Sequence, residues 1–336
     1  MLFQPAIIAL LLASGLATLL VVASVPFAVR VLRRWDLSSG SEAQLALERR
    51  TYLVATLLKI VMAAELAALV LFVFNADRMA ALFTGAMCAV GTLKVDAFGF
   101  PALYLKMAVF FLAGAWLVLD HVDNRGWDYP LIRVKYAALL ALAPLLLASA
   151  GVQLGYFMGL RADVITSCCS TLFSGGGITV TSNSVAALPH EMSLALLAGS
   201  LAAVVASGAA FLRWGRLGWL HGLLSLAAFV IGLAAIISTL SVYVYELPHH
   251  HCPFCILKRE YAHVGYLLYV PLFVGTLCGL GTAIAAAAGR LPSLAQAGPA
   301  IAGTLARWSV GGFILFGVVC VWLIARSHLI LFEAVS

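Results

Sequence analysis

The chain is 336 residues long, 63% hydrophobic and only 10% charged, where a soluble domain carries about 25% charged residues. That balance excludes a water-soluble globule. The net charge of +6 sits in short segments between apolar runs, which reflects membrane topology and gives no reason to expect nucleic acid as a partner.

Eight apolar runs, each near the ~20 residues needed to cross hydrocarbon, lie at roughly 6–29, 51–74, 101–119, 137–158, 191–212, 219–245, 263–288 and 308–326. They predict an all-α, polytopic membrane helix bundle with about eight transmembrane helices, filling 1–336 as a single integral membrane domain. The first run has no positive segment before it and is followed by Arg30, Arg33 and Arg34, which predicts a retained helix instead of a cleaved secretory signal.

The second run holds Lys59 and Glu65, and the third holds Lys106 early in its course. Charges at such depth are costly. Both lysines are expected to snorkel to the nearest interface, leaving Glu65 for a hydrogen bond to a neighbouring helix or for proton uptake from a quinone. Between these runs, Phe83–Phe100 is rich in small residues and contains Met87-Cys88. The polar stretch Asp120–Asp128 reads as a solvated cytoplasmic turn. After the fourth run comes Ile165–Ser184, with Cys168-Cys169 and the Gly175–Gly177 run. Such glycine-rich loops serve either as a lid over helix ends or as re-entrant segments. His249-His250-His251-Cys252-Pro253-Phe254-Cys255 follows the sixth run, while Cys278 and Cys320 lie within the seventh and eighth as small packing residues.

Loop cations set the orientation. Alternate loops hold twelve Lys and Arg residues, the opposite loops six, and Lys59 and Lys106 fall inside spans. The richer side is cytoplasmic, so both termini and the five loop cysteines, Cys88, Cys168, Cys169, Cys252 and Cys255, are expected outside the cytoplasm, where disulfides persist. A vicinal disulfide closes a strained ring, so Cys88 is a candidate bridge to Cys168 or Cys169.

Cys252-Pro-Phe-Cys255 carries the sharpest chemistry. Three imidazoles, Lys258, Arg259 and a helix N-terminus near Cys255 would all favour a thiolate. A helix starting there puts Arg259, four residues on, on the same face as Cys255. Glu260 and His263, one turn further, are candidate proton acceptors at the same place.

The stretch Cys252-Pro-Phe-Cys255-Ile-Leu-Lys-Arg259 resembles the Cys-Pro-x-Cys-Ile-x-x-Arg signature of the DsbB family of quinone-linked disulfide-forming membrane proteins. The order of a cysteine loop first and Cys-x-x-Cys second is similar to the vitamin K epoxide reductase family, which uses comparable chemistry on a four-helix bundle. The resemblance implies that Cys252 and Cys255 are a redox pair, with Cys255 meeting the quinone (ubiquinone or menaquinone) and Arg259 assisting at its ring carbonyl. It implies that Cys88, Cys168 and Cys169 exchange with a thioredoxin-like extracytoplasmic thiol protein. It also implies a four-helix redox core at about 136–288, with helices at about 6–120 and 308–326 additional. The location expected is the bacterial inner membrane, with the active face extracytoplasmic.

Two other classes fit the same residues. His249, His250, His251, Cys252 and Cys255 offer donors for copper or another soft metal, which would make the chain a metal-binding or metal-transferring membrane protein. With purely structural disulfides it would be a subunit of a respiratory or cytochrome-maturation assembly.

Overall fold

A computed structural model describes residues 4–37, 39, 41–161, 164, 166, 188–248 and 250–329. Among the described residues there is no strand, and eight helices are long and apolar enough to cross a membrane. Every apolar run of the sequence becomes one of them. Most of the helices run longer than the runs: α2, Glu42–Met79, begins nine residues before the hydrophobic stretch at 51. Its N-cap Ser41 accepts the Gln44 N–H at 3.3 Å, so the helix continues into polar sequence that hydropathy alone does not mark.

The chain divides into two compact units. The first, residues 1–84, 92–166 and 288–299, is built from α1 (Pro5–Arg34), α2, α4 (Gly99–Asp123) and α5 (Ile132–Gly159). The short helix α3 (Ala89–Lys94) leads into it. Each long helix packs against two others, α1 on α2 and α5, and α4 on α2 and α5, which closes a four-helix ring. Val31, Trp35, Met62, Trp116, Tyr136 and Leu139 fill its interior.

Charges cross that interior in pairs. Lys106 Nζ lies 3.1 Å from Glu65 Oε2 and donates to Ser14 Oγ at 2.8 Å, and Ser14 donates in turn to Gln153 Oε1 at 3.3 Å. Lys106 and Glu65 are almost wholly buried. The lysine therefore does not snorkel; a carboxylate one helix away offsets its desolvation more directly than the distant interface does. Lys59 pairs with Asp120 at 3.0 Å. Asp120 and Asp123 are not in a solvated turn either. Both are buried and grip Lys135 Nζ, at 3.1 and 2.8 Å.

The second unit, residues 85–91, 167–287 and 300–336, contains α6 (His190–Trp214), α7 (Gly218–Ala235), α8 (Ser241–Tyr245), α9 (Val264–Ala288) and α10 (Ala297–Arg326). A π-turn, Ile236–Leu240, joins α7 to α8 and makes one continuous span. Small residues bring the backbones together: a Cβ on Gly312 of α10 would stand 3.0 Å from Gly275 Cα of α9. His221 of α7 ties three helices, its Nδ1 3.0 Å from Ser207 Oγ and its Nε2 3.1 Å from Ser309 Oγ. The unit thus differs from the expected core at about 136–288. Ile132–Gly159 packs on α1 and α4 in the first unit, and the C-terminal span takes part in the second.

Candidate functional site

The site is built in the second unit by two loops far apart in sequence. Gly85, at φ 85°, turns the chain after α2, in a left-handed conformation that suits glycine. Met87 and Cys88 follow directly, and the Cys88 carbonyl accepts the Gly91 N–H at 3.0 Å as α3 begins. The Phe83–Phe100 stretch is thus no open loop: Cys88, Ala89, Val90 and Leu93 are buried within it.

The second loop leaves α8 through Glu246, also at positive φ. Two aromatic hydroxyls hold it. Tyr245 donates to the Cys252 carbonyl at 2.5 Å and Tyr269 to the Pro253 carbonyl at 2.7 Å. The Tyr245 ring also meets His250 edge-on at 4.2 Å and Tyr261 at 4.7 Å between centroids.

These two loops bring three sulfurs together. Cys88 Sγ lies 3.3 Å from Cys252 Sγ, and the Sγ atoms of Cys88, Cys252 and Cys255 all lie within 4.8 Å of one another. All three are buried, and no disulfide joins them. Lys258 clasps the arrangement from the polar side, its ammonium donating to the Met87 carbonyl. Of the five loop cysteines expected on one face, three therefore meet. Cys88 meets Cys252; the expected bridge from Cys88 to Cys168 or Cys169 falls on residues that, like His249, lie outside the described residues.

The helix expected to begin at Cys255 begins nine residues later, at Val264. Between them are two 3₁₀ turns, Cys255–Leu257 and Arg259–Tyr261, separated by extended backbone at Lys258. Ala262 and His263 then adopt left-handed φ of 52° and 55°. The i, i+4 argument for Cys255 and Arg259 therefore does not apply, because no helical turn spans them. Arg259, Glu260 and His263 are exposed. His263 Nδ1 is 2.7 Å from the Leu257 carbonyl; a carbonyl partner requires Nδ1–H, so Nε2 is the ring's proton acceptor.

The electrostatics also reverse the thiolate expectation. Cys252 is pushed up to about 12, first by its hydrogen bond to Cys255 and then by burial, with the Cys88 hydrogen bond acting the other way. Burial, and then the neighbouring His251, push the His250 imidazole down from its ordinary value. His250 is thus neutral near pH 7 and supplies no positive charge to the thiols. His251 turns Nδ1 to the Ile237 carbonyl of the π-turn at 3.1 Å and stacks with His190 at 6.5 Å between centroids. Neither His250 nor His251 joins the sulfur group, so the mixed histidine–cysteine metal set is not assembled among the described residues.

Sequence reasoning passed over Tyr245, Tyr269 and the π-turn. A tyrosine at each end of the cysteine loop was the available signal for the first two. The π-turn, a device frequent at functional sites, leaves no mark in hydropathy.

No family model, no curated protein and no solved structure matches the chain.

Proposed function

We propose that this protein is a thiol–disulfide oxidoreductase of a bacterial inner membrane that moves electrons between a soluble extracytoplasmic thiol protein and a membrane quinone. The observation that carries the reading is the 3.3 Å approach of Cys88 to Cys252, with Cys255 in the same buried group. A Cys-x-x-Cys pair with a third thiol against its first member is equipped for exchange.

The chemistry balances with these sulfurs, the soluble partner's dithiol as reductant and the quinone as oxidant. With Cys252 and Cys255 joined, the Cys88 thiolate attacks Cys252 Sγ, forming the Cys88–Cys252 bond and releasing Cys255 as thiolate. A thiolate supplied by the soluble partner's dithiol then attacks Cys88 Sγ and releases Cys252 as thiol, and the partner's second thiol displaces Cys88 to close the partner's own disulfide. The Cys252–Cys255 dithiol so formed passes two electrons and two protons to the quinone, which leaves as quinol as the Cys252–Cys255 disulfide is regenerated. Cys168 and Cys169 would link Cys88 to the soluble partner. Cys255, the least buried of the three at 7%, is the sulfur facing the acceptor. Arg259 and Glu260 supply an exposed polar rim, and His263 Nε2 can accept a proton there. The cation bias of the loops supports the outward orientation of this face.

The test is thiol trapping on the anaerobically purified full chain before and after addition of a soluble quinone. Quinone-dependent loss of the Cys252 and Cys255 thiols is expected, and C255S should abolish the quinone-dependent loss at Cys252. Thiols that stay unchanged with quinone in excess would sink the reading.

A further inference from the structure

We propose that Cys88, Cys252 and Cys255, when reduced, form a three-thiolate site for a soft d10 cation. The proposal stands on the same sulfurs as the relay described above but needs no quinone, and it survives if that reading fails.

Geometry comes first. A cation about 2.3 Å from each of three sulfurs in a trigonal plane holds those sulfurs about 4.0 Å apart. Cys88 and Cys252 are 3.3 Å apart here, and all three sulfurs lie within 4.8 Å of one another. Closure on an ion therefore asks for sulfur shifts below an ångström, within the reach of a χ1 adjustment.

Donor type comes second. The group is sulfur only, and it is buried, with Cys88 0%, Cys252 1% and Cys255 7% exposed. Such a set selects thiophilic ions such as Cu(I), Zn(II) or Cd(II) over hard, oxygen-seeking ones. His251 Nδ1 is turned to the Ile237 carbonyl, and neither His250 nor His251 falls within the sulfur group. The ligand set is thus Cys88 with the Cys-x-x-Cys pair, different from the histidine-rich set that the sequence suggests.

Charge comes third. Three thiolates with a divalent ion sum to one negative charge. The Lys258 ammonium sits on the Met87 carbonyl, one residue from Cys88, and offsets it. A cation beside a metal is unfavourable when the ligands are neutral. It is favourable when the ligand set over-neutralises the ion.

Metal occupancy and a Cys252–Cys255 disulfide are mutually exclusive states of one group, which gives the test its control without mutation. The full chain, reduced and held anaerobic in detergent without quinone, is titrated with Cd(II) and followed by its sulfur-to-metal charge-transfer absorption. One equivalent per chain is expected, with uptake abolished by disulfide oxidation and restored by reduction. C88S, C252S and C255S should each weaken binding at least tenfold, whereas C278A/C320A should leave it unchanged. Substoichiometric uptake, uptake that persists in the oxidised chain, or a titration indifferent to C88S overturns the proposal.

Discussion

The thiol of Cys252 should be nearly inert until strongly alkaline pH, which runs against what its motif suggests. Its ionisation lies at about 12. At about pH 8 the thiolate fraction is then ~10⁻⁴, against roughly a quarter for an unperturbed cysteine, a deficit of about a thousandfold in the reactive form. The two neighbouring sulfurs act in opposite senses. The Cys255 hydrogen bond is the largest cause raising the value, and the Cys88 hydrogen bond lowers it. C255A should accordingly speed alkylation of Cys252, while C88A should slow it once the accessibility it creates is measured with a neutral disulfide probe. The assay is iodoacetamide labelling of the reduced protein from neutral to strongly alkaline pH, with Cys252 quantified by peptide mass. The same shift affects stability. The folded state keeps a proton that the unfolded chain loses above about pH 8.5. The contribution of this thiol is therefore fully present below that pH and is lost progressively as pH rises toward 12. A Cys252 labelling rate at pH 8 within tenfold of a free thiol, or the same response to C255A and C88A, would refute the reasoning.

Three further outcomes follow from the packing. Lys106→Met alone strands Glu65 in the first unit and should cost about 3–5 kcal/mol, whereas the K106M/E65L double change should recover most of it; detergent unfolding with a double-mutant cycle reads the difference. Tyr245→Phe leaves the Cys252 carbonyl without its hydroxyl donor, at about 1–3 kcal/mol, and should raise labelling of Cys252 while leaving helicity intact. Gly312→Leu places side-chain atoms where Gly275 Cα approaches to 3.0 Å of a Cβ; it should lower the melting temperature, whereas leucine at Gly311, which has open space, should not.

The spans were legible because a membrane helix states itself in composition: 20 apolar residues admit few other structures. The meeting of loop cysteines was legible in part, since alternate loops of an eight-span chain share a face. That Cys88 would stand against Cys252 was not, because 164 residues separate them and no periodicity encodes which loops touch. The start of α9 was misplaced for a physical reason. Cys255 through Tyr261 suits a helix by composition, yet Tyr245 and Tyr269 pin the backbone at Cys252 and Pro253, and left-handed residues at Ala262 and His263 break the path before Val264. The intramembrane charges were visible, but their partners were not. Glu65 and Lys106 are 41 residues apart and meet only once α2 and α4 pack.

Burial of all three sulfurs raises the question of how a partner reaches them, and Lys258 is the residue placed to govern it. Its ammonium on the Met87 carbonyl ties the Cys88 loop to the Cys-x-x-Cys loop, and it does so at the polar edge, where one charge-assisted hydrogen bond contributes modestly. The backbone beyond it already carries two consecutive left-handed residues, Ala262 and His263, each costing roughly 1 kcal/mol or more in a non-glycine residue. A segment carrying that strain at the polar edge should open locally at lower cost than the helices beneath it. Lys258→Met keeps the aliphatic length and removes the tie. Labelling of Cys88 by a small neutral disulfide should then accelerate at least tenfold, with the melting temperature nearly unchanged. Equal labelling of Cys88 in the two proteins would mean that access runs by another route, and a matching fall in melting temperature would mean that Lys258 supports the fold and does not gate the thiols.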